Sequence, residues 1–220
     1  MFIRKEIRAD KQGVIIMKKL YLVRHGQTSW NLEGRTQGNK NSSLTSLGVQ
    51  QAKKLGRYFE DIELDEIFCS PLERAHLTAQ IIANTKGLSC KLDNRLVEMN
   101  FGEWEGLTRP EIKEKYPDVF KTWMEEPHLA NIPKGETTEI AQNRIIEFVD
   151  DKIMKSEKST ILVVSHGTII RLLLLNVLSM ELKHYYKLKL GNGSINLVEF
   201  RHYGPVLIKY NDTCHMDIII

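Results

Sequence analysis

The sequence predicts an α/β fold: a three-layer, open, mostly parallel sheet with helices on both faces and one antiparallel edge strand. Three observations lead there. Short apolar runs alternate with amphipathic segments of helical period. Two of the runs, Leu20–Val23 and Ile161–Val164, carry no polar face, as strands buried on both sides require. The chain then closes on two segments of strand character around Tyr203-Gly204-Pro205, the pattern of an antiparallel pair.

The elements follow in order. Residues 1–17 mix charges without a sustained period, and Met17 precedes the first convincing element; they read as an N-terminal extension, with a natural start at Met17. A strand runs from Lys19 to Val23 and stops at Arg24-His25-Gly26. Thr45 to Phe59 is helical, with Gly48, Ala52, Leu55 and Phe59 on one face and Lys53, Lys54 and Arg57 on the solvated one. Asp65–Cys69 is a strand that enters Ser70-Pro71-Leu72-Glu73, where Ser70 reads as a cap, Pro71 as the first helical position and Glu73 as the partner in a capping box. That helix continues through Ala75, Ala79 and Ile82 to Gly87. From about 100 to 137 the chain is rich in Pro, Trp and charge and reads as an excursion, or lid, with short helices at Arg109–Lys115 and Val119–Met124. Glu139–Met154 restores a long amphipathic helix through Ile140, Ile145, Ile146, Val149 and Ile153. Thr160–Ser165 is a strand that leads through His166-Gly167 into a helix, and Ser194–Phe200 and Val206–Tyr210 form the closing pair. Residues 18–212 thus read as a single domain, with no internal repeat.

Composition narrows the function. At 220 residues, 42% hydrophobic and 27% charged, the chain is an ordinary globular protein with enough length for a full core. The net charge is +3, of which residues 1–16 hold +2, so the body lacks the concentrated basic field that nucleic acid or an anionic membrane surface requires. Even the apolar run Leu172–Leu175 is far below the ~20 residues that span a bilayer. Three scattered cysteines, Cys69, Cys90 and Cys214, offer neither a disulfide framework nor a metal site and suit a reducing cytoplasm.

Chemistry concentrates where strands end. Two strands terminate in His-Gly, and ligands of open α/β sheets bind beyond the carboxyl ends of the strands, so His25 and His166 converge on one rim. The strand Asp65–Cys69 ends there too, and the first turn after it supplies Arg74. Arg24, Arg74 and the two imidazoles make a compact positive pocket for a dianion such as a phosphate monoester, reinforced by helix N-termini after Ser70 and His166. Neighbouring guanidiniums disfavour imidazolium, and a neutral imidazole facing phosphorus is a nucleophile, which points to a phosphohistidine. Positive charge around the transferring oxygens then stabilises the transition state, with no need of metal or cofactor.

The segment Arg24-His25-Gly26-Gln27-Thr28-Ser29-Trp30-Asn31 resembles the signature of the histidine phosphatase superfamily, the phosphoglycerate mutase-like group. Four further blocks resemble it in order: Leu44-Thr45 with Gly48 and Gln51-Ala52; Ser70 to Ala75; Glu98 to Gly106; and Val164 to Gly167. The resemblance covers about Lys19 to Tyr210. It implies that His25 is the phosphorylated nucleophile, that Arg24, Arg74 and His166 bind phosphate with Gly167, and that Asn31 donates a further hydrogen bond. It also implies that Glu98 protonates the leaving oxygen and then activates water, a role for which Glu103 and Glu105 compete. Thr28, Arg35 and Gln37 are candidates to face substrate, or plain polar loop residues; a homodimer is expected by analogy.

Within this group a mutase must hold a second anionic group, yet its Arg-Arg pair has no counterpart after Gly106, and Thr168 stands where mutases carry Asn. The stretch Asn31–Gly38 resembles the phosphatase branch, which includes α-ribazole phosphatases and broad-specificity enzymes. The expected reaction is therefore hydrolysis of a small phosphorylated metabolite. Phosphoglycerate mutase-type transfer is the alternative, and a silent phosphate-recognition module the second; Trp104, Trp123, Met124 and His128 are candidates to shape specificity.

Overall fold

Leu20, Tyr21, Leu22 and Val23 form the inner part of β1 (Lys18–Arg24), and alternate residues face opposite sides of the sheet. Leu20 and Leu22 join one hydrophobic cluster, Tyr21 and Val23 the other. The computed structural model describes residues 17–217, so all but Met17 of the N-terminal extension expected from the sequence lies outside the described residues.

Six strands form one sheet. Besides β1 they are β2 (Glu66–Cys69), β3 (Cys90–Leu92), β4 (Thr160–Ser165), β5 (Ile195–Arg201) and β6 (Gly204–Asp212). Their order is β3-β2-β4-β1-β5-β6. The first four are mutually parallel; β5 runs against β1 and β6 against β5. The reversed strand is β5, one in from the edge, because the closing hairpin turns at His202 and Tyr203 and lays β6 outside it. Pro205, with no N–H to give, is accommodated on that edge strand.

One face of the sheet is covered by α2 (Ser46–Glu60) and α3 (Glu73–Lys86), the other by α6 (Thr138–Phe148) and α7 (Gly167–Val177). This double burial explains the unbroken apolar strands. A short α1 (Ser29–Glu33) follows the Arg24-His25-Gly26 turn, and the excursion holds α4 (Arg109–Lys115) and α5 (Pro117–Glu125). Two sequence expectations need correction. Ile140 faces solvent, and the helix widens into a π segment at Val149–Met154 that keeps Val149, Ile153 and Met154 all buried. Nor is there a capping box at Ser70: α3 starts at Glu73, whose N–H goes to Asn41, while the Ser70 hydroxyl accepts from Leu72 N–H at 3.2 Å.

Register places the rim. Arg24 pairs with Ser165, and Cys69 with Val164, so β1, β4 and β2 end side by side. His25, His166 and Ser70 are the next residues of these three strands. The first turn past β1 packs tightly on α2: a Cβ on Gly26 would lie 2.4 Å from Gly48 O, which only glycine avoids.

Candidate active site

His25 is 2% exposed, and its Nδ1 lies 2.7 Å from Gly26 O. A carbonyl can only accept, so Nδ1 carries the hydrogen and Nε2 keeps its lone pair. Burial first, then Arg74 and Arg24, hold its pKa well below the usual histidine value. His166 is wholly buried, its ring centroid 5.1 Å from that of His25, with Nε2 2.8 Å from Ser70 Oγ and Nδ1 without a partner. Its pKa is depressed in the same way, by burial, then Arg74, His25 and Arg24.

The two arginines are fixed at one end and open at the other. Arg24 donates from Nη1 to Leu190 O at 2.6 Å, and Arg74 from its two Nη atoms to Lys40 O at 2.8 Å and Gly38 O at 2.6 Å. Both Nε–H groups are buried without an acceptor. Burial pulls the Arg74 pKa down to about 10, against the nearby Glu98, and leaves the group charged at neutral pH. Three buried ring or guanidinium nitrogens of the rim residues thus lack partners, and a buried donor left unsatisfied costs about 1–3 kcal/mol. An anion with several acceptor oxygens would satisfy them together. Gly167, at the start of α7, lets Arg24 approach: a Cβ there would sit 3.3 Å from Arg24 Nε.

Glu98 is 9% exposed and caps α7 from outside. Its Oε1 accepts from Met99 N at 2.9 Å and Ile169 N at 3.3 Å, its Oε2 from Thr168 N at 3.2 Å. The rival acids point elsewhere. Glu103 pairs with Lys134 and Tyr116, and Glu105 Oε1 accepts from Asn39 N and Phe101 N.

Other expected residues divide. Asn31 Oδ1 accepts from Thr28 N at 3.1 Å and Asn192 Nδ2 at 3.0 Å, which leaves its Nδ2 amide to donate outward. Thr28 is wholly buried, and its hydroxyl caps α1 on Asn31 N at 3.2 Å instead of facing a ligand, because the same two side chains close a capping box. Gln37 is buried with Oε1 unpartnered, next to the Gly38 carbonyl that Arg74 grips. Arg35 is tied to Glu33, Gly106 O and Glu111, so it serves the loops. Phe101 and Trp104 meet Trp123 edge to face and Tyr185 meets it at a tilt, an aromatic cluster within the excursion and against it; Met124 lines the cavity beside it and His128 does not.

Three contacts of the site were not expected from the sequence. Ser70 holds the His166 ring, Asn192 reaches His25 O and Gly26 O, and the Arg144–Glu136 pair clamps the Glu98 segment. Only Ser70 could have been found, because it follows its strand directly, as both histidines do. Among the described residues no group of three or more His, Cys, Asp or Glu is set to hold a metal ion, and no helix is long and apolar enough to cross a membrane.

Comparisons with known proteins find relatives over most of the chain. The chain is 35% identical over 200 residues to phosphoserine phosphatase 1 of Hydrogenobacter thermophilus, covering 91% of this chain and 95% of that one. It is 34% identical over 183 residues to the "Probable phosphoglycerate mutase GpmB" of Erwinia tasmaniensis, covering 83% and 85%. The solved structure of Bacillus stearothermophilus YhfR superposes with a TM-score of 0.87 at 33% identity, covering 91% of this chain and 100% of that one. The chain therefore belongs to the histidine phosphatase superfamily, branch 1, whose family model matches residues 20–213.

Proposed function

We propose that the protein hydrolyses small phosphate monoesters through a phosphohistidine at His25, with Glu98 as general acid and base. The observation that carries this reading is the set of unpartnered buried nitrogens, Arg24 Nε, Arg74 Nε and His166 Nδ1, beside a histidine whose Nε2 lone pair is free. A tetrahedral phosphoryl group fills that set, and the Asn31 amide and the Gly167 backbone add to it. Ser70 Oγ accepts from Leu72 N–H and lies 2.8 Å from His166 Nε2, and giving its own hydrogen to that nitrogen leaves the His166 hydrogen on Nδ1 for the phosphate.

His25 Nε2 attacks phosphorus while the P–O ester bond breaks, and Glu98 gives its proton to the leaving oxygen. The Glu98 carboxylate then takes a proton from water as that water attacks phosphorus. The P–N bond breaks, phosphate leaves, and His25 is neutral again. The arginines and His166 hold the charge on the equatorial oxygens throughout. The three cysteines are free, which supports a reducing, cytoplasmic setting.

The test is turnover of p-nitrophenyl phosphate together with trapping of an acid-labile phosphoenzyme. Wild type should do both, and His25→Ala should lose the label and at least ~10³-fold in kcat. A variant that kept both would remove His25 from the chemistry. Conversion of 3- to 2-phosphoglycerate with a bisphosphate primer would instead assign mutase-type transfer, and absence of any turnover a recognition module.

A further inference from the structure

The segment that carries His25 is gripped by a loop far along the chain, residues 190–194, which leads into β5. Backbone bonds do much of the holding. Gly193 N–H donates to Arg24 O at 3.0 Å and to His25 O at 3.2 Å, while Arg24 N–H donates to Ser194 O at 3.2 Å. From behind, Gly191 N–H is held by Asn211 Oδ1 at 2.7 Å, and Gly193 takes a φ of +68°, in the left-handed region that glycine allows. None of these bonds uses the side chain of Asn192. That side chain is half-buried, and its Nδ2 lies 3.0 Å from Asn31 Oδ1, 3.2 Å from His25 O and 3.4 Å from Gly26 O. All three neighbours accept: two are backbone carbonyls, and Asn31 Oδ1 already takes the Thr28 N–H at 3.1 Å. One amide hydrogen of Asn192 goes to Asn31, and the carbonyls share the other.

We propose that Asn192 is a positioning residue for phosphoryl transfer: it locks the Asn31 amide toward the transferred group and ties that amide to the backbone of the nucleophile. This rests on the phosphatase reading of the rim and adds to it a residue that acts through its neighbours. The end of an Asn side chain turns in a broad, two-fold well, so an Asn held at one point can present its oxygen where its NH2 is needed. Thr28 N–H fixes the Asn31 oxygen from the α1 side and Asn192 Nδ2 fixes it from the loop side, which leaves Asn31 Nδ2 to donate to a phosphate oxygen. The bonds to His25 O and Gly26 O set that amide against the imidazole, because Gly26 O is also the acceptor of the His25 Nδ1–H at 2.7 Å. Phosphoryl transfer asks the protein chiefly for positioning and charge, so a donor that fixes two groups of the site at once bears on the rate.

The test is a double-mutant cycle on Asn192 and Asn31, read as kcat/KM on p-nitrophenyl phosphate. Asn192→Ala should lower kcat/KM about 10- to 100-fold. Asn31→Ala should lower it comparably. The double variant should then fall short of the product of the two losses by at least about fivefold, because the first change already removes what the second would. Asn192→Asp keeps the shape of the side chain but, ionised, has no hydrogen to give, so it should lose at least as much as Asn192→Ala. The backbone bonds of the loop remain in both Asn192 variants, and a general loosening of the fold would multiply through the cycle without producing the shortfall. Three results overturn the proposal: wild-type kcat/KM in either Asn192 variant, undiminished activity in Asn31→Ala, or losses that simply multiply. With wild type active, any of them removes Asn192 from the mechanism and leaves the phosphatase reading intact. If wild type hydrolyses nothing, the phosphatase reading falls, and calorimetric affinities for inorganic phosphate around the same cycle decide the role of Asn192 by the same shortfall; a wild type that binds no phosphate overturns that role too.

Discussion

The Ser70 hydroxyl lies 2.8 Å from His166 Nε2, with both residues wholly buried, and joins the end of β2 to the end of β4. Adjacent parallel strands make the contact automatic, because Cys69 and Val164 are register partners and the chain turns just beyond each. A hydroxyl that accepts from Leu72 N–H has one hydrogen left to give, and giving it to Nε2 sets the imidazole tautomer. On the proposed reading, Ser70 is a positioning residue for the His166 nitrogen that binds phosphate.

Ser70→Ala removes the orienting bond and leaves Nε2 buried without a partner. Folding should suffer by about 1–3 kcal/mol. Activity should fall further than that implies: kcat/KM on p-nitrophenyl phosphate by about 10- to 100-fold, since a small displacement at the reacting centre is costly. Affinity for inorganic phosphate should weaken with it, and Ser70→Thr should recover part of both. Steady-state kinetics with phosphate inhibition checks this; unchanged inhibition in the alanine variant would show that the ring needs no such hold.

Glu98→Gln separates proton transfer from phosphate binding. A p-nitrophenolate departs with little help, whereas an alkoxide needs its proton. The variant should lose about 10²–10⁴-fold in kcat on an alkyl phosphate and no more than about tenfold on p-nitrophenyl phosphate. The glutamine oxygen can still accept from Met99 N–H or the α7 amides, so the loop keeps part of its anchorage. Equal losses on the two leaving groups would take the acid role from Glu98.

How much of this was legible depends on the range of each interaction. The strands β1 and β4 are readable because double-sided burial leaves an unbroken apolar run, and the Gly after each histidine marks the rim. Parallel pairing then brings His25 and His166 together whatever the chain does between them. The edge strand β3 spans only Cys90–Leu92, too short to show a period. The Ser70-Pro71-Leu72-Glu73 stretch has the composition of a capping box, but α3 starts only at Glu73, and the Ser70 hydroxyl meets Leu72 N–H and His166 instead. Thr28 shows the converse, a residue beside the signature histidine whose hydroxyl serves α1. The aromatic excursion and the clamp between Arg144 and residues 95–100 rest on long-range packing, which no local pattern reports.

That clamp gives a further prediction. Arg144 pairs with both Glu136 oxygens at 2.9 Å and donates to Arg95 O, Val97 O and Glu98 O, while Glu136 Oε2 also accepts from Asn100 N at 2.8 Å. Burial pushes the Glu136 carboxyl up, but the Arg144 pair and the Asn100 amide outweigh it and hold the carboxyl below its usual range. Arg144→Met strands a partly buried carboxylate and frees three carbonyls, so it should cost about 2–4 kcal/mol. The segment bearing Glu98 loosens at the same time. The alkyl-to-aryl activity ratio should therefore drop in the direction of Glu98→Gln, which a purely structural role would leave unchanged; kinetics on the folded fraction after a denaturant titration measures both.

The two rim imidazoles also make stability depend on pH in a defined window. In the fold, burial and the arginines keep His25 and His166 unprotonated well below the ordinary histidine value. In the unfolded chain they titrate near ~6.5. Between those limits the unfolded state binds more protons, so the contribution to stability is fully present above about pH 6.5 and is lost as pH falls below it. Each histidine adds a slope approaching about 1.4 kcal/mol per pH unit. His215, displaced in the same direction chiefly by burial, contributes to the wild-type slope as well. The lowered carboxyls, such as Asp151 at about 2, change charge only at much lower pH and stay out of this window. Denaturant unfolding between pH 7.5 and 5.5 should show falling stability in wild type, and a slope reduced by about one proton in each of His25→Gln and His166→Gln. Nucleophilicity should follow the same electrostatics, with His25 still unprotonated where a free imidazole is largely charged. Slopes identical in wild type and both variants would mean that the rim imidazoles titrate normally in the fold, and that the positive pocket does not act on them as the geometry requires.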